Sequence, residues 1–124
     1  MIDVLSSIVE SIGAIEGFNG RVYRRWPKKK VAMPSCIISR ISGHPKLTDA
    51  DGSEIIATLV YSVDINAADA DGADVLAEQV IDTLAGFNFH RTGDTDFYDE
   101  VTKSSRRVLT FMGDVDTRGN TFTN

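Results

Sequence analysis

Apolar positions along the chain repeat with two different periods, and each change of period marks a new element. Between Ile2 and Ile15 the residues Ile2, Leu5, Ile8, Val9, Ile12 and Ile15 recur every three or four positions, the stripe of a helix with one buried side. Gly17, Asn19 and Gly20 follow, residue types that tolerate the left-handed backbone with which helices end. Between Ile55 and Ile65 the period drops to two. Ile55, Ala57, Leu59, Tyr61, Val63 and Ile65 take the odd positions while Thr58, Ser62 and Asp64 mark a wetter second face, which predicts a long strand with one buried side. Helical spacing returns in Val75, Leu76, Val80, Ile81 and Leu84, predicting a second helix over 72–85 whose start Asp69, Asp71 or Asp74 can cap and which Gly86 ends.

The shorter runs fill the gaps. Arg21 to Trp26 reads as a short strand with Val22 inward and Arg21 and Tyr23 outward, ended by Pro27 and a lysine loop, and Pro34 opens a second β run over 35–42. Gly43 to Gly52, with Pro45, Asp49 and Asp51, predicts a turn-rich connection. Phe87 and Phe89 alternate with Asn88 and His90 in a short strand or anchored loop; 97–102 and 107–115 read as the last two strands, with Lys103-Ser104-Ser105 as their turn. Strands outnumber helices without strict alternation. This order predicts an α+β fold, a mainly antiparallel sheet with two helices packed on one face, as a single domain over 1–115. The polar stretch 116–124 is expected to be a flexible C-terminal tail or arm.

Composition narrows the function classes. The 124 residues, 42% hydrophobic and 25% charged, suffice for one core and have a globular balance. A net charge of −5 argues against bulk attraction to nucleic acid or an anionic bilayer. The lone Cys36 excludes an internal disulfide framework and multi-cysteine metal motifs, and fits a reducing compartment. No apolar run approaches the roughly 20 residues of a membrane span. The opening Met-Ile-Asp-Val-Leu has neither a basic leader nor a small-residue cleavage site, so assembly in a cytoplasm is expected, with no membrane partner.

The charge is unevenly spread. The window Arg24-Arg25-Trp26-Pro27-Lys28-Lys29-Lys30 carries five cations, and removing them from −5 leaves the rest of the chain at −10. Two readings stand: a basic loop that docks onto an acidic protein surface or touches phosphates, with Trp26 as anchor, or a solvated turn whose lysines guard a strand edge.

Asp-Ala-Asp-Gly occurs twice, at 49–52 and 69–72, and suggests calcium ligation. The loop pattern fails, because the second copy would place Ala67 at the first ligand and the first copy would open on Leu47 and close on Thr58. Both copies therefore read as turn and helix-cap chemistry. Nucleophilic catalysis would require Cys36 or a serine near His44 or His90, but Cys36 lies in an apolar strand, where free cysteine is usually a small core residue. Asp96 and Asp99 are a candidate carboxylate pair and read as solvated; no nucleophile elbow, phosphate-cradling glycine loop or His-Glu-x-x-His motif is present. Neither enzymatic activity nor a cofactor or metal is expected. Phe97, Tyr98 and Phe111 read as sheet or interface packing.

A wider pattern runs through these segments: Gly20-Arg21-Val22-Tyr23, a proline-containing basic loop, Met33-Pro34 leading into Cys36-Ile37-Ile38, then Asp51-Gly52, a long alternating strand into Asp64 and an alanine-rich helix from Val75 to Leu84. Phe97-Tyr98-Asp99 and the run Arg106 to Phe111 close it. This succession resembles the tail-completion, or tail-terminator, proteins of tailed bacteriophages and related prophages. The resemblance implies a small α+β structural subunit of the virion tail or neck, assembled in the host cytoplasm, that forms a ring with itself, commonly a hexamer. Such a ring sits on the last ring of tail tube protein, halts polymerisation and offers its other face to a head-side connector protein in head–tail joining; DNA passes through without specific binding. If the likeness holds, Arg24, Arg25, Trp26, Lys28, Lys29 and Lys30, with His44 and Lys46 of the following connection, are the expected partner-binding residues, because loops on a rigid sheet carry such contacts. Another neck or head-completion connector, and a small host enzyme or ligand-binding module, are the alternatives.

Overall fold

A computed structural model of the chain describes residues 4–25, 32–52, 54–101 and 103–122, with the backbone alone at 54 and 122. Its elements are helix α1 (Leu5–Gly13), a 3-10 turn (Glu16–Phe18), strands β1 (Val22–Tyr23), β2 (Ser35–Thr48) and β3 (Glu54–Ala67), helix α2 (Ala70–Ala85), and strands β4 (His90–Asp99), β5 (Ser104–Asp116) and β6 (Thr121–Phe122). The fold is α+β, and the strands form one mixed, mostly antiparallel sheet in the order β1-β2-β3-β5-β4. β1 runs parallel to β2 through Val22↔Cys36 and Tyr23↔Ile37, and β6 continues along β5 beyond the start of β4.

β3 is the centre of the sheet, and its alternation decides what is buried. Ala57, Leu59, Tyr61, Val63 and Ile65 are almost wholly enclosed, and they join one cluster with Leu5, Ile8 and Ile12 of α1 and Leu76, Ala77, Val80 and Leu84 of α2. Each fully buried Leu, Ile or Phe in such a cluster contributes about 1.5–3 kcal/mol relative to exposure. Tyr61 lies at its heart. Its ring stacks on Phe89 with centroids 5.3 Å apart, and its hydroxyl accepts a hydrogen bond from the Val4 backbone N–H, 3.2 Å away. Helix α2 rotates the expected stripe slightly: Ala73 and Ala77 face the core with Leu76, Val80 and Leu84, whereas Val75 is 60% exposed.

The local signals act as their chemistry requires. Asn19 and Gly20 take φ of 50° and 78° and end the 3-10 turn. Asp69 caps α2 by accepting from the Gly72 N–H at 2.7 Å. Asp49 accepts from the Asp51 N–H at 3.0 Å, and Gly52 at φ 82° completes the turn between β2 and β3.

Three expectations are corrected. Gly43 to Gly52 is not a connection: β2 continues through Pro45 to Thr48 in register with β3, and only Asp49 to Gly52 turns. The proline is accommodated because β2 is an outer strand there, and the ladder absorbs it with register shifts on either side of Leu47. β4 begins at His90, not Phe97. Its polar run from Arg91 to Asp96 lacks apolar alternation because it is an edge strand exposed on both faces. Finally, the chain beyond Asp116 does not leave the fold at once. The Asp116 carboxylate accepts from the backbone N–H groups of Arg118 and Asn120, Gly119 takes φ 81°, and Thr121–Phe122 pairs with β5.

Candidate functional site

β1 lies beside β2 for only two residues and then peels away. Arg21 anchors the start of this fork: its Nε donates to the Pro34 carbonyl at 2.8 Å, and its own carbonyl accepts from the Cys36 N–H. Where the strands part, Arg24 and Arg25 are exposed and, with Ser39 and Arg40 of β2 and Leu5 of α1, line an open cleft of about 490 Å³. No carboxylate is among these lining residues, and among the described residues neither Arg24 nor Arg25 has an ion-pair partner.

The arginines of β4 and β5 are differently placed. Arg106 and Arg107 are neighbours on β5 and so point to opposite faces, and each finds acid on its own face. Arg106 pairs with Asp64 of β3 and, at 3.5 Å, with Asp99 of β4, while its guanidinium lies 5.0 Å from the centre of the Phe97 ring. Arg107 bridges Asp94 at 2.6 Å and Asp74 of α2 at 3.0 Å, tying the helix to the sheet; Arg91 adds a contact to Asp94 at 2.8 Å. The hydrogen bond from Arg107 holds the Asp94 carboxyl below the usual carboxylate range. Asp96 and Asp99, three apart on a strand, project to opposite faces and do not form a carboxylate pair.

The expected partner-binding residues divide. Arg24 and Arg25 stand at the cleft. Trp26, Lys28, Lys29 and Lys30 lie outside the described residues. His44 and Lys46 are exposed on β2 and not on a loop. Lys46 turns across the sheet to Asp114 of β5 at 2.5 Å, and Thr58 Oγ1 donates to the other oxygen of the same carboxylate at 2.7 Å. Burial opposes ionisation of Asp114; the hydrogen bonds from Lys46 and Thr58 and the charges of Lys46 and His90 outweigh it and hold the carboxyl low. Lys46 is thus engaged within the chain and does not join the arginine cleft.

A scan of protein-family models and a search of curated proteins find no match for this chain.

Cys36 is wholly buried, and burial, with the Asp64 charge, pushes its thiol well up, so it is a core residue as its apolar strand indicated. Among the described residues no three of His, Cys, Asp or Glu are placed to hold a metal ion, and no described helix is long and apolar enough to cross a membrane.

What sequence reasoning missed are the two sheet edges. β4 exposes nearly all of its ten residues, and none of the described residues pairs with its outer side. Among the described residues β2 is likewise open on its outer side from Ser39 onward, since β1 covers only Cys36 and Ile37. Exposed apolar side chains lie along both: Ile41 and Leu47 on β2, Phe97 and Tyr98 on β4, and Val101 in the turn that follows it. A signal existed in the polar, proline-free run from His90 to Asp96 ahead of Phe97-Tyr98, which suits a strand wet on both faces.

Proposed function

We propose that this protein is a structural subunit of the tail-completion type, forming a ring that caps the tail tube of a tailed bacteriophage, stops tube growth and provides the docking surface for head–tail joining. The observation that carries the reading is the pair of edges, at opposite ends of one sheet, that no described residue covers. From β2 through β3 and β5 to β4 every pairing is antiparallel, so β2 and β4 run in opposite directions. A second copy in the same orientation therefore meets β4 with an antiparallel edge, the geometry of head-to-tail association, which closes into a ring when the rotation per copy fits. Long open edges with apolar side chains invite such pairing and are rarely left bare in a working monomer.

In this reading both helices pack on the same face of the sheet, as their shared core cluster supports. The opposite face and the loops are then free for tail tube protein on one side of the ring and the head-side connector on the other. Net negative charge suits a channel through which DNA slides without specific binding, and the ring works in the virion neck after assembly in the host cytoplasm, with no cofactor.

Native mass spectrometry of the full chain, alone and with tail tube protein, tests the reading together with electron microscopy of particles made without it. Closed rings of one stoichiometry and overlong tubes in the absence of the protein are expected. A chain that stays monomeric in the presence of tube protein overturns the proposal, and so do free tubes of normal length beside tailless heads, which would place the subunit on the head side.

A further inference from the structure

The charges along the two open edges carry the reading further. On β2 the edge begins at the basic cleft of Arg24, Arg25 and Arg40 and ends at the acidic turn of Asp49 and Asp51. On β4 the order is reversed along the outside of the sheet: the strand begins with His90 and Arg91 and ends with Asp96, Asp99 and, in the turn, Glu100. The free part of β2, residues 39–48, and β4, residues 90–99, are both ten residues long, about 33 Å of strand each.

Resting on the ring reading above, we propose that the interface between successive copies is a continued β-sheet: β4 of one copy adds antiparallel to the free edge of β2 in the next, seating Asp96 and Glu100 of the first on the Arg24–Arg25–Arg40 cleft of the second. Antiparallel addition sets acid on base at both ends of the contact, whereas parallel addition would oppose like charges. The faces also match. Arg40 is the register partner of Tyr61, and Asp96 that of Arg107, itself the partner of Ile65. Tyr61 and Ile65 share one face of β3, so Arg40 and Asp96 lie on that same side of the sheet. Pro45 has no N–H to donate, and the β2–β3 ladder shifts at Ile41 and on either side of Leu47, so the added strand meets a bulged edge whose 39–44 half faces the acidic half of β4. Tyr98, 58% exposed, and Ile41, 56% exposed, supply apolar contact at that end. Arg24 and Arg25, which have no carboxylate partner among the described residues, find theirs on the neighbouring copy.

The test is a charge exchange in the full-length protein. The variant Asp96→Arg/Glu100→Arg and the variant Arg24→Glu/Arg25→Glu are each expected to raise the concentration at which rings dissociate at least about tenfold, since every contact then opposes like charges. Mixed in equal amounts they are expected to form rings again, strictly alternating and even in number, because each interface in such a ring regains opposite charges. Circular dichroism melts of the separate variants confirm that both are folded. Native mass spectrometry showing rings of undiminished stability in either folded variant, or no recovery on mixing, overturns the interface while leaving the ring function intact. A monomeric parent protein overturns the ring reading itself, and the interface with it.

Discussion

Gly113 offers the most direct check on how the core is assembled. It lies on β5 opposite Leu59, with its bare Cα against the ring of Phe89. A Cβ built there would stand 2.8 Å, 2.9 Å and 3.0 Å from the Cγ, Cδ1 and Cδ2 atoms of that ring, closer than packed carbons approach. The ring has no room to withdraw, being 2% exposed and stacked on Tyr61. Overpacking of this kind costs about 1–3 kcal/mol. Against it stands a gain of about 0.4–1 kcal/mol from the smaller conformational freedom of alanine in the unfolded chain. Gly113→Ala is therefore expected to destabilise the protein by about 1–2 kcal/mol, read as a lower urea midpoint at unchanged slope. Phe89→Ala should be destabilising alone through the space it leaves, but it removes the Cγ and Cδ atoms that clash with the added methyl group. The double variant Gly113→Ala/Phe89→Ala should consequently be more stable than the sum of the single effects by about 1 kcal/mol. A neutral or stabilising Gly113→Ala, or strict additivity in the cycle, would refute the reasoning that Phe89 occupies the missing side chain's place.

Other consequences can be measured independently. Asp69→Ala removes the cap of α2 and should cost about 1 kcal/mol, seen as a lower thermal midpoint, with Asp69→Asn retaining most of it. Tyr61→Phe leaves the Val4 N–H without its acceptor in a buried setting and should cost about 1–2 kcal/mol in chemical denaturation. The Asp114 carboxyl, held low by Lys46 and Thr58, contributes stability that is present above the unfolded carboxylate pKa of about 3.9 and is lost as pH falls through its lower folded value. Stability of the parent should thus decline more steeply on acidification in that range than that of Asp114→Asn. Cys36, wholly buried with a raised thiol pKa, should react with a thiol reagent only as fast as the protein opens, and rapidly in denaturant.

Much of the architecture was legible in the order of residues. The odd positions of β3 and the three-four spacing of Ile8, Ile12, Leu76, Val80 and Leu84 report burial directly, because one-sided exposure forces polar and apolar residues onto opposite sides at the period of the element. Asp69 and Asp49 act where they were expected, since capping and Asx turns are satisfied within a few residues. The full lengths of β2 and β4 were not legible. Pro45 and the run from Arg91 to Asp96 read locally as turn or loop, and they become strand only because β3 and β5 supply the pairing partners.

The same division holds for the candidate interface. Residue order alone gathers five cations in one short window and leaves the rest of the chain acidic. Folding settles which charges remain available: sheet pairing brings Asp64, Asp99 and Asp94 to Arg106 and Arg107 and Asp114 to Lys46, helix packing brings Asp74 to Arg107, and Arg24 and Arg25 stay at a fork whose described lining holds no carboxylate. It also decides that, among the described residues, β4 and the part of β2 from Ser39 onward have no partner on their outer sides. A strand's position in a sheet depends on contacts between residues tens of positions apart, and local periodicity carries no record of which neighbour will be missing.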